Sequence, residues 1–213
     1  MTEIIFIVDL PITADSPDLV ALKKAILSHS PHTSLKILPA TAKIPSTGSI
    51  YPLTFNYPET LEFPGKSLYQ QCKNIEHLRH WVETNLEYKT AQGNHWLPIV
   101  LTAKGPLYAE AIAESENRQA YEQPCHLSDA LRQPLYHLAY ELLTYLEATP
   151  TVYTLQFSYQ GEEIFFDRLF PFPHESTRIS LEVQKPDLFT CHGLCLTQQP
   201  ILDLAIFPES ITH

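Results

Sequence analysis

The sequence is poor in glycine and has no long apolar run. Its six glycines are scattered, and no two stand at a spacing that would form a loop cradling phosphate groups. No apolar stretch reaches the roughly 18 residues that a membrane-spanning helix needs. The first ten residues enter an apolar strand directly, without the basic region or cleavage site of a signal peptide. These absences predict a chain without a membrane span and, by default, a cytoplasmic location.

Basic residues are also scarce. The 213 residues include 14 Lys and Arg against 24 Asp and Glu, which gives a formal net charge of −10. This balance argues against nucleic acid or an anionic membrane as the main partner, although it leaves room for a small basic pocket. With 44% apolar residues the chain can bury the core of one large domain or two small ones.

Four cysteines are too few for a disulfide framework in a chain of this length. Cys191 and Cys195 frame His192, but three residues separate the two thiols where zinc knuckles have two, and no second pair lies at a suitable distance. We therefore predict free thiols and no metal site. Whether Cys191 and Cys195 have any function stays open.

The chain divides by pattern into a small α/β-like unit, residues 1–66, and a larger α+β region, residues 67–213. In the first unit the pattern predicts a βαβ start followed by a proline-rich irregular stretch; its segments are a strand at 3–9, a helix at 17–29, a strand at 35–38, and a short strand near 53–56 within the irregular stretch 39–66.

The second region reads as two hairpins around a helix. The predicted segments are a helix at 67–87, strands at 97–102 and 107–113, a helix through 135–146, strands at 152–159 and 163–169, and a strand or extended segment at 178–184. Pro134 leaves two alternatives for the middle helix: a short turn precedes it, or Gln133 caps a helix with Pro134 at its first position.

Several motifs in this region follow one order. Gly105 is followed nine residues later by Glu114, the sequence Ser-Asp-Ala-Leu-Arg runs over 128–132, and Pro-Phe-Pro-His-Glu-Ser runs over 171–176. In this order residues of about 97–200 resemble the C-terminal part of an ATP-grasp domain, in particular that of the carboxyaminoimidazole ribonucleotide synthetases. The resemblance implies an antiparallel sheet of two hairpins with a packed helix.

The departures from that family concern its metal ligands. The resemblance implies acidic side chains on the last two strands that bind magnesium, but this chain has Gln156 and Arg168 there. Arginine cannot ligate magnesium and keeps its charge at accessible pH. Asp167, next to Arg168, could serve as a ligand only through a register slip or a bulge. Phe172 replaces the arginine of the family's Pro-Arg-Pro triplet.

We therefore expect a non-catalytic ATP-grasp-derived protein that binds a protein partner or a small anionic ligand, with no catalytic residues and no cofactor. The candidate binding residues are Glu114, Gln156, Asp167, Arg168, His174 and Ser176. In one interpretation Arg168, Phe170, Phe172 and His174 form a recognition surface. In the other, Arg168 pairs with Glu162 or Glu182 and the phenylalanines belong to the core.

Two alternatives remain. The first is a working ATP-dependent ligase that binds ATP and magnesium through substitute ligands such as Asp167, Glu114 or Glu175. The second is an assembly or interaction protein whose α+β fold is unrelated to ATP-grasp enzymes.

Overall fold

The computed structural model describes residues 3–9, 15–45, 47–115 and 120–207. Its strands are β1 (Glu3–Val8), β2 (Ser34–Pro39), β3 (Ser49–Pro52), β4 (Lys89–Thr90), β5 (His95–Thr102), β6 (Gly105–Tyr108), β7 (Ala111–Glu114), β8 (Tyr121–Cys125), β9 (Thr151–Gln160), β10 (Glu163–Phe170), β11 (Gln184–Lys185) and β12 (Ala205–Ile206). Its helices are α1 (Pro17–His29), α2 (Lys66–Lys73), α3 (Ile75–Leu86), α4 (Asp129–Tyr145), α5 (Ser180–Val183) and α6 (Leu188–Leu196), with a 3₁₀ turn over Glu175–Ile179.

A parallel three-stranded sheet, ordered β2-β1-β3, forms the N-terminal unit. The β-branched and aromatic residues of β1 are almost completely buried, which explains why this run forms the central strand. Helix α1 begins with Pro17 in its first turn and packs Leu19, Leu22 and Ile26 against the sheet. The predicted βαβ start is confirmed. The third strand lies at Ser49–Pro52, and the prediction of a strand near 53–56 is wrong, because the chain leaves the sheet there.

The larger sheet is ordered β4-β10-β9-β5-β7-β8, and β6 pairs with β5 outside this path. All its pairings are antiparallel except that of β4 with β10. The two predicted hairpins are β5–β6 and β9–β10. Helices α2, α3 and α4 bury their apolar faces in one core with this sheet. The predicted α+β class, with two hairpins and a packed helix, is confirmed.

Two predicted helices differ in detail. The helix over 67–87 is two helices, α2 and α3, separated at Asn74, whose side chain accepts a hydrogen bond from the His77 N–H and caps α3. Helix α4 runs from Asp129 with Pro134 inside it, so both predicted alternatives are wrong. Near the start of a helix, proline removes only one backbone hydrogen bond, and the apolar face of α4 offsets that cost.

The C-terminal quarter differs most from expectation. The extended segment predicted at 178–184 is a 3₁₀ turn followed by α5, and α6 was not predicted. Helix α6 packs against α1. A Cβ on Gly193 would lie 3.0 Å from the Ala25 Cβ and 3.1 Å from the Leu22 carbonyl oxygen, so the close approach of the two helices depends on this glycine. The division between residues 66 and 67 stays a prediction. No helix in the described ranges is long and apolar enough to cross a membrane.

Candidate functional site

A crevice lies where β1 and β3 end. β1 is the central strand and connects through α1 to β2 on one side, while β3 lies parallel to β1 on its other side, so the strand order reverses between β1 and β3. Open parallel sheets bind ligands at the carboxyl ends of such strand pairs. Here the residues just past the strands, Asp9 and Thr54, line a cavity of about 560 Å³. We call it the switch-point crevice.

Polar side chains on this edge are held by one another. The Thr54 hydroxyl donates to Asp9 Oδ2 at 2.6 Å, and Asn56 Nδ2 donates to Asp9 Oδ1 at 3.0 Å. The Asn56 backbone N–H in turn donates to Thr54 Oγ1 at 2.9 Å. Thr54 is buried. Both oxygens of the Asp9 carboxylate are therefore fixed in place before any ligand arrives.

The opposite wall comes from the segment after β10. His174 caps the 3₁₀ turn, its Nδ1 accepting from the Ser176 N–H at 3.3 Å, and its ring stacks on Phe170 at 4.2 Å between centroids. Burial lowers the pKa of His174 to about 4, so the ring is neutral at pH 7. Glu175 accepts a hydrogen bond from the Tyr121 hydroxyl at 3.1 Å. Burial and the Glu175 charge raise the pKa of Tyr121 to about 12, which keeps that hydroxyl a donor.

The start of α1 closes the crevice. Asp18, in the first turn, is buried, and its carboxylate accepts from Arg178 Nε at 2.9 Å and from the Leu19 N–H at 3.0 Å. The Ser16 hydroxyl oxygen also lies here, buried and without a hydrogen-bond partner among the described residues. A buried hydroxyl without a partner is costly unless a ligand or water satisfies it.

The two positions that the family resemblance assigned to magnesium lie side by side. Gln156 and Arg168 are register partners on β9 and β10, so their side chains project from the same face of the sheet. Gln156 Nε2 donates to the Gly93 carbonyl oxygen at 2.6 Å. Trp96, the register partner of Gln156 on β5, covers this face and is buried. An amide engaged with the backbone and a guanidinium do not fit a magnesium ion.

A β-bulge separates Phe166 from Arg168 and turns Asp167 into the interior. One carboxylate oxygen accepts from Arg79 Nη2 at 2.5 Å and lies 3.3 Å from Arg168 Nε. The other accepts from the Gly93 N–H at 2.9 Å, and Arg79 Nε also donates to the Asp167 carbonyl oxygen at 3.1 Å. The bulge that could have supplied a metal ligand instead ties α3 to β10 and to the loop before β5.

The structure divides the remaining candidates between the switch-point crevice and its surroundings. His174 lines the crevice, whereas Ser176 is buried and does not belong to the lining. Neither Gln156 nor Arg168 lines it. Glu114 ends β7, where its N–H donates to the Asn94 carbonyl oxygen.

The two interpretations of the phenylalanines have different outcomes. Phe170 and Phe172 are buried, as the core interpretation predicted, and both also line the switch-point crevice. They do not form an exposed surface with Arg168, which lies outside that lining. The ion-pair partner of Arg168 is its neighbour Asp167 at 3.3 Å, so the predicted pairing with Glu162 or Glu182 is wrong. The bulge places the two adjacent charged groups within reach of each other.

Sequence reasoning missed the N-terminal half of the crevice. Asp9, Thr54, Asn56 and Arg178 were not candidates. A usable signal existed, since Asp9 directly follows a buried strand and Thr54 and Asn56 follow the third strand closely. The third strand was misplaced by a few residues, and the signal was lost with it.

All four cysteines are free thiols, as predicted. Burial raises the pKa of Cys72 to about 12 and that of Cys195 to about 11, and it also raises the pKa of Cys191. Thiols with such pKa values are poor nucleophiles at neutral pH. Among the described residues no group of three or more His, Cys, Asp or Glu side chains is placed to hold a metal ion.

The sequence matches no family model and no curated protein. The fold, however, resembles solved structures over nearly the whole chain. A structure of glycinamide-RNase-transformylase T from Mycobacterium tuberculosis matches with a TM-score of 0.70 at 12% identity. The match covers 93% of this chain and 80% of the chain in that structure. The protein has an ATP-grasp-like fold.

Two further structures extend this likeness. N5-carboxyaminoimidazole ribonucleotide synthetase from Thermotoga maritima has a TM-score of 0.68 at 10% identity and covers 97% of this chain and 78% of its own. Carboxyaminoimidazole ribonucleotide synthase from Aspergillus clavatus, complexed with ATP, has a TM-score of 0.68 at 8% identity. That match covers 94% of this chain and 78% of the chain in that structure. The likeness therefore includes the N-terminal unit, beyond the predicted region of about 97–200. It favours the ATP-grasp resemblance over the alternative of an unrelated α+β protein.

Proposed function

We propose that this ATP-grasp-like protein is not a ligase and acts by binding a small molecule in the switch-point crevice. One observation carries the first half: the two strand positions at which the family resemblance implies magnesium ligands hold Gln156 and Arg168 side by side. The nearby carboxylate, that of Asp167, is completely buried and bonded to Arg79 and Gly93.

The electrostatics of this face oppose nucleotide chemistry. In phosphoryl transfer, magnesium bridges the phosphates and neutralises their developing charge. A fixed guanidinium at a ligand position repels the ion, and moving Asp167 towards solvent would break its three hydrogen-bonded contacts. Trp96 lies beside Gln156 on the neighbouring strand, and its ring is nearly parallel to that of His174 at 6.1 Å between centroids. These features support the proposal that the sheet face of Gln156 and Arg168 does not hold a metal–nucleotide complex.

The second half of the proposal follows from the crevice. Its volume of about 560 Å³ lies within the range of small-molecule sites. Its polar groups are held in place by the hydrogen bonds among Asp9, Thr54 and Asn56, so little entropy is lost when a ligand binds. The unpartnered Ser16 hydroxyl offers one further polar contact. A protein partner remains the alternative occupant.

The experiment measures thermal unfolding with ATP and magnesium, together with release of ADP. A ligand bound only by the native state must raise the melting temperature, by an amount set by its concentration relative to Kd. We expect no rise at millimolar ATP and magnesium, and no ADP release. A rise that is lost in Glu114→Gln or Glu175→Gln would overturn the proposal in favour of the ligase alternative. Those positions suit the test because both side chains reach solvent, unlike Asp167.

A further inference from the structure

The charged groups of the switch-point crevice are unbalanced. Three carboxylates line it, those of Asp9, Asp18 and Glu175, against the single guanidinium of Arg178. Arg178 is already paired with Asp18 at 2.9 Å. Asp9 and Glu175 accept hydrogen bonds only from neutral groups in the described residues. Two negative charges therefore face the cavity without a cationic partner.

Other groups near the crevice do not reverse this balance. The N-terminus of a helix attracts anions, but Asp18 occupies the first turn of α1 and accepts the Leu19 N–H. His174 is neutral at pH 7 because burial lowers its pKa to about 4. Arg168 lies outside the lining and contacts the Asp167 carboxylate. The sequence between Asp9 and Asp15 contains no lysine or arginine.

The rest of the wall is apolar and aromatic. Phe55 and Phe172 line it with ring centroids 5.2 Å apart, and Phe170 lies 5.9 Å from Phe55. Leu53 and Leu19 add aliphatic surface. Aromatic faces attract cations as well as apolar groups. A carboxylate edge beside an aromatic wall suits a ligand with one cationic end and an apolar body.

We propose that the ligand of the switch-point crevice is an amine, a protonated nitrogen on an apolar or aromatic body, with the nitrogen at Asp9 and Glu175 and the body against Phe55 and Phe172. This inference rests on the proposed function, that the crevice binds a small molecule. It departs from the small anionic ligand expected from the sequence, since a carboxylate or phosphate would meet two uncompensated negative charges.

The test uses three compounds of matched shape and different charge: 2-phenylethylamine, 2-phenylethanol and 3-phenylpropionate. Their binding to the full chain is measured by ligand-observed NMR titration at low salt and at 0.15 M salt. We expect the amine to bind about tenfold or more tightly than the alcohol, as one charge-assisted hydrogen bond allows, and the acid to bind weakest. The advantage of the amine should shrink with salt.

Three variants assign the effect to the crevice. Asp9→Asn keeps the shape of the side chain and should cancel most of the amine's advantage over the alcohol. Glu163→Gln is the matched control, because Glu163 is an exposed carboxylate on β10 paired with Lys89, outside the crevice lining, and it should leave the advantage unchanged. Asn56→Trp places an indole at the exposed rim of the crevice and should weaken all three compounds.

The outcomes separate this inference from the proposed function. If the alcohol or the acid binds as tightly as the amine, and Asn56→Trp weakens it, the crevice binds small molecules but the charge inference is overturned. If none of the three binds, or if Asn56→Trp changes nothing, the crevice is not their site. That result overturns the charge inference and the small-molecule half of the proposed function, whereas the half that concerns ligase chemistry is tested separately with ATP and magnesium. An amine advantage that survives Asp9→Asn, or one that disappears in Glu163→Gln, would also overturn the inference.

Discussion

Replacing Asp167 with asparagine tests whether this carboxylate is a structural clamp. The carboxylate is completely buried and accepts hydrogen bonds from Arg79 on α3 and from the Gly93 N–H in the loop before β5. Asparagine keeps the size but loses the charge, and its amide group presents a donor where one oxygen now accepts. Arg79 and the Gly93 N–H then lose part of their bonding while they stay in place.

The expected cost comes from the burial of the two partners. Removing one member of a fully buried ion pair costs about 3–5 kcal/mol. Because 21% of the Arg79 side chain is exposed, water recovers part of this energy, and we expect Asp167→Asn to lower the free energy of unfolding by about 2–4 kcal/mol. For a chain of this length that corresponds to a fall in melting temperature of roughly 4–16 °C.

The assay is urea unfolding followed by circular dichroism and by tryptophan fluorescence. The midpoint should fall while the slope with urea stays constant, because the surface exposed on unfolding is unchanged. Glu163→Gln, which breaks an exposed ion pair on the same strand, is the control and should cost well under about 1 kcal/mol. In the double variant Asp167→Asn with Arg79→Met, the total cost should be smaller than the sum of the single costs by about 0.5–3 kcal/mol.

The result that refutes this account is a variant as stable as the control. Stability unchanged in Asp167→Asn would mean that the carboxylate is not the bonded partner of Arg79 and Gly93 in solution. The same outcome would return Asp167 to the list of groups free to bind a metal, and the ligase alternative would gain support.

Three further predictions follow from burial and close packing. Gly93→Ala should prevent folding, because a Cβ there would lie 2.5 Å from a backbone oxygen of β9. Gly161 stands at a turn with open space around it and a φ of +63°, so Gly161→Ala should lower the free energy of unfolding by only about 1–2 kcal/mol. Soluble yields and urea midpoints compare the two variants. Burial lowers the pKa of His174 to about 4 and that of His192 to about 3, so the unfolded chain binds protons at these two histidines before the native protein does. The free energy of unfolding should therefore fall as the pH drops from about 6.5 towards 4, by roughly 1.4 kcal/mol per pH unit for each histidine. His174→Gln should reduce this slope, measured by urea titrations at several pH values. A thiol reagent at pH 8 should label Cys125 in the native protein, since it is the one cysteine that is not fully buried, and the other three thiols should react only after unfolding. Rapid labelling of three or four thiols in the native protein would contradict the packing.

The sequence patterns that were predicted correctly are those with strong local signals. The β-branched run of β1 and the glycine turns of the two hairpins have one favourable local structure each, and tertiary packing agrees with it. Helix α6 gave no such signal. It is buried between two layers, so its residues are apolar on nearly all sides and show no amphipathic period.

The candidate site was predictable only in part for a physical reason. Its two walls come from segments more than 100 residues apart, and only the second wall carried a recognisable motif. His174 was found because it lies in that motif, whereas Asp9 and Thr54 become neighbours only through parallel strand pairing. The orientation of Asp167 depends on a one-residue bulge, which alternation along a strand cannot reveal.

The packing of α6 on α1 has a consequence for how the protein is made. The apolar side chains of Phe6 and Leu22 share a buried cluster with Phe189, which lies about 170 residues later in the chain. At about 5–20 residues per second, the ribosome needs roughly 10–30 s between these points. During that interval the first sheet has only one of its covering helices. Until Phe189 emerges, the newly made N-terminal unit exposes apolar surface that this residue covers in the folded protein, and such surface is what chaperones bind.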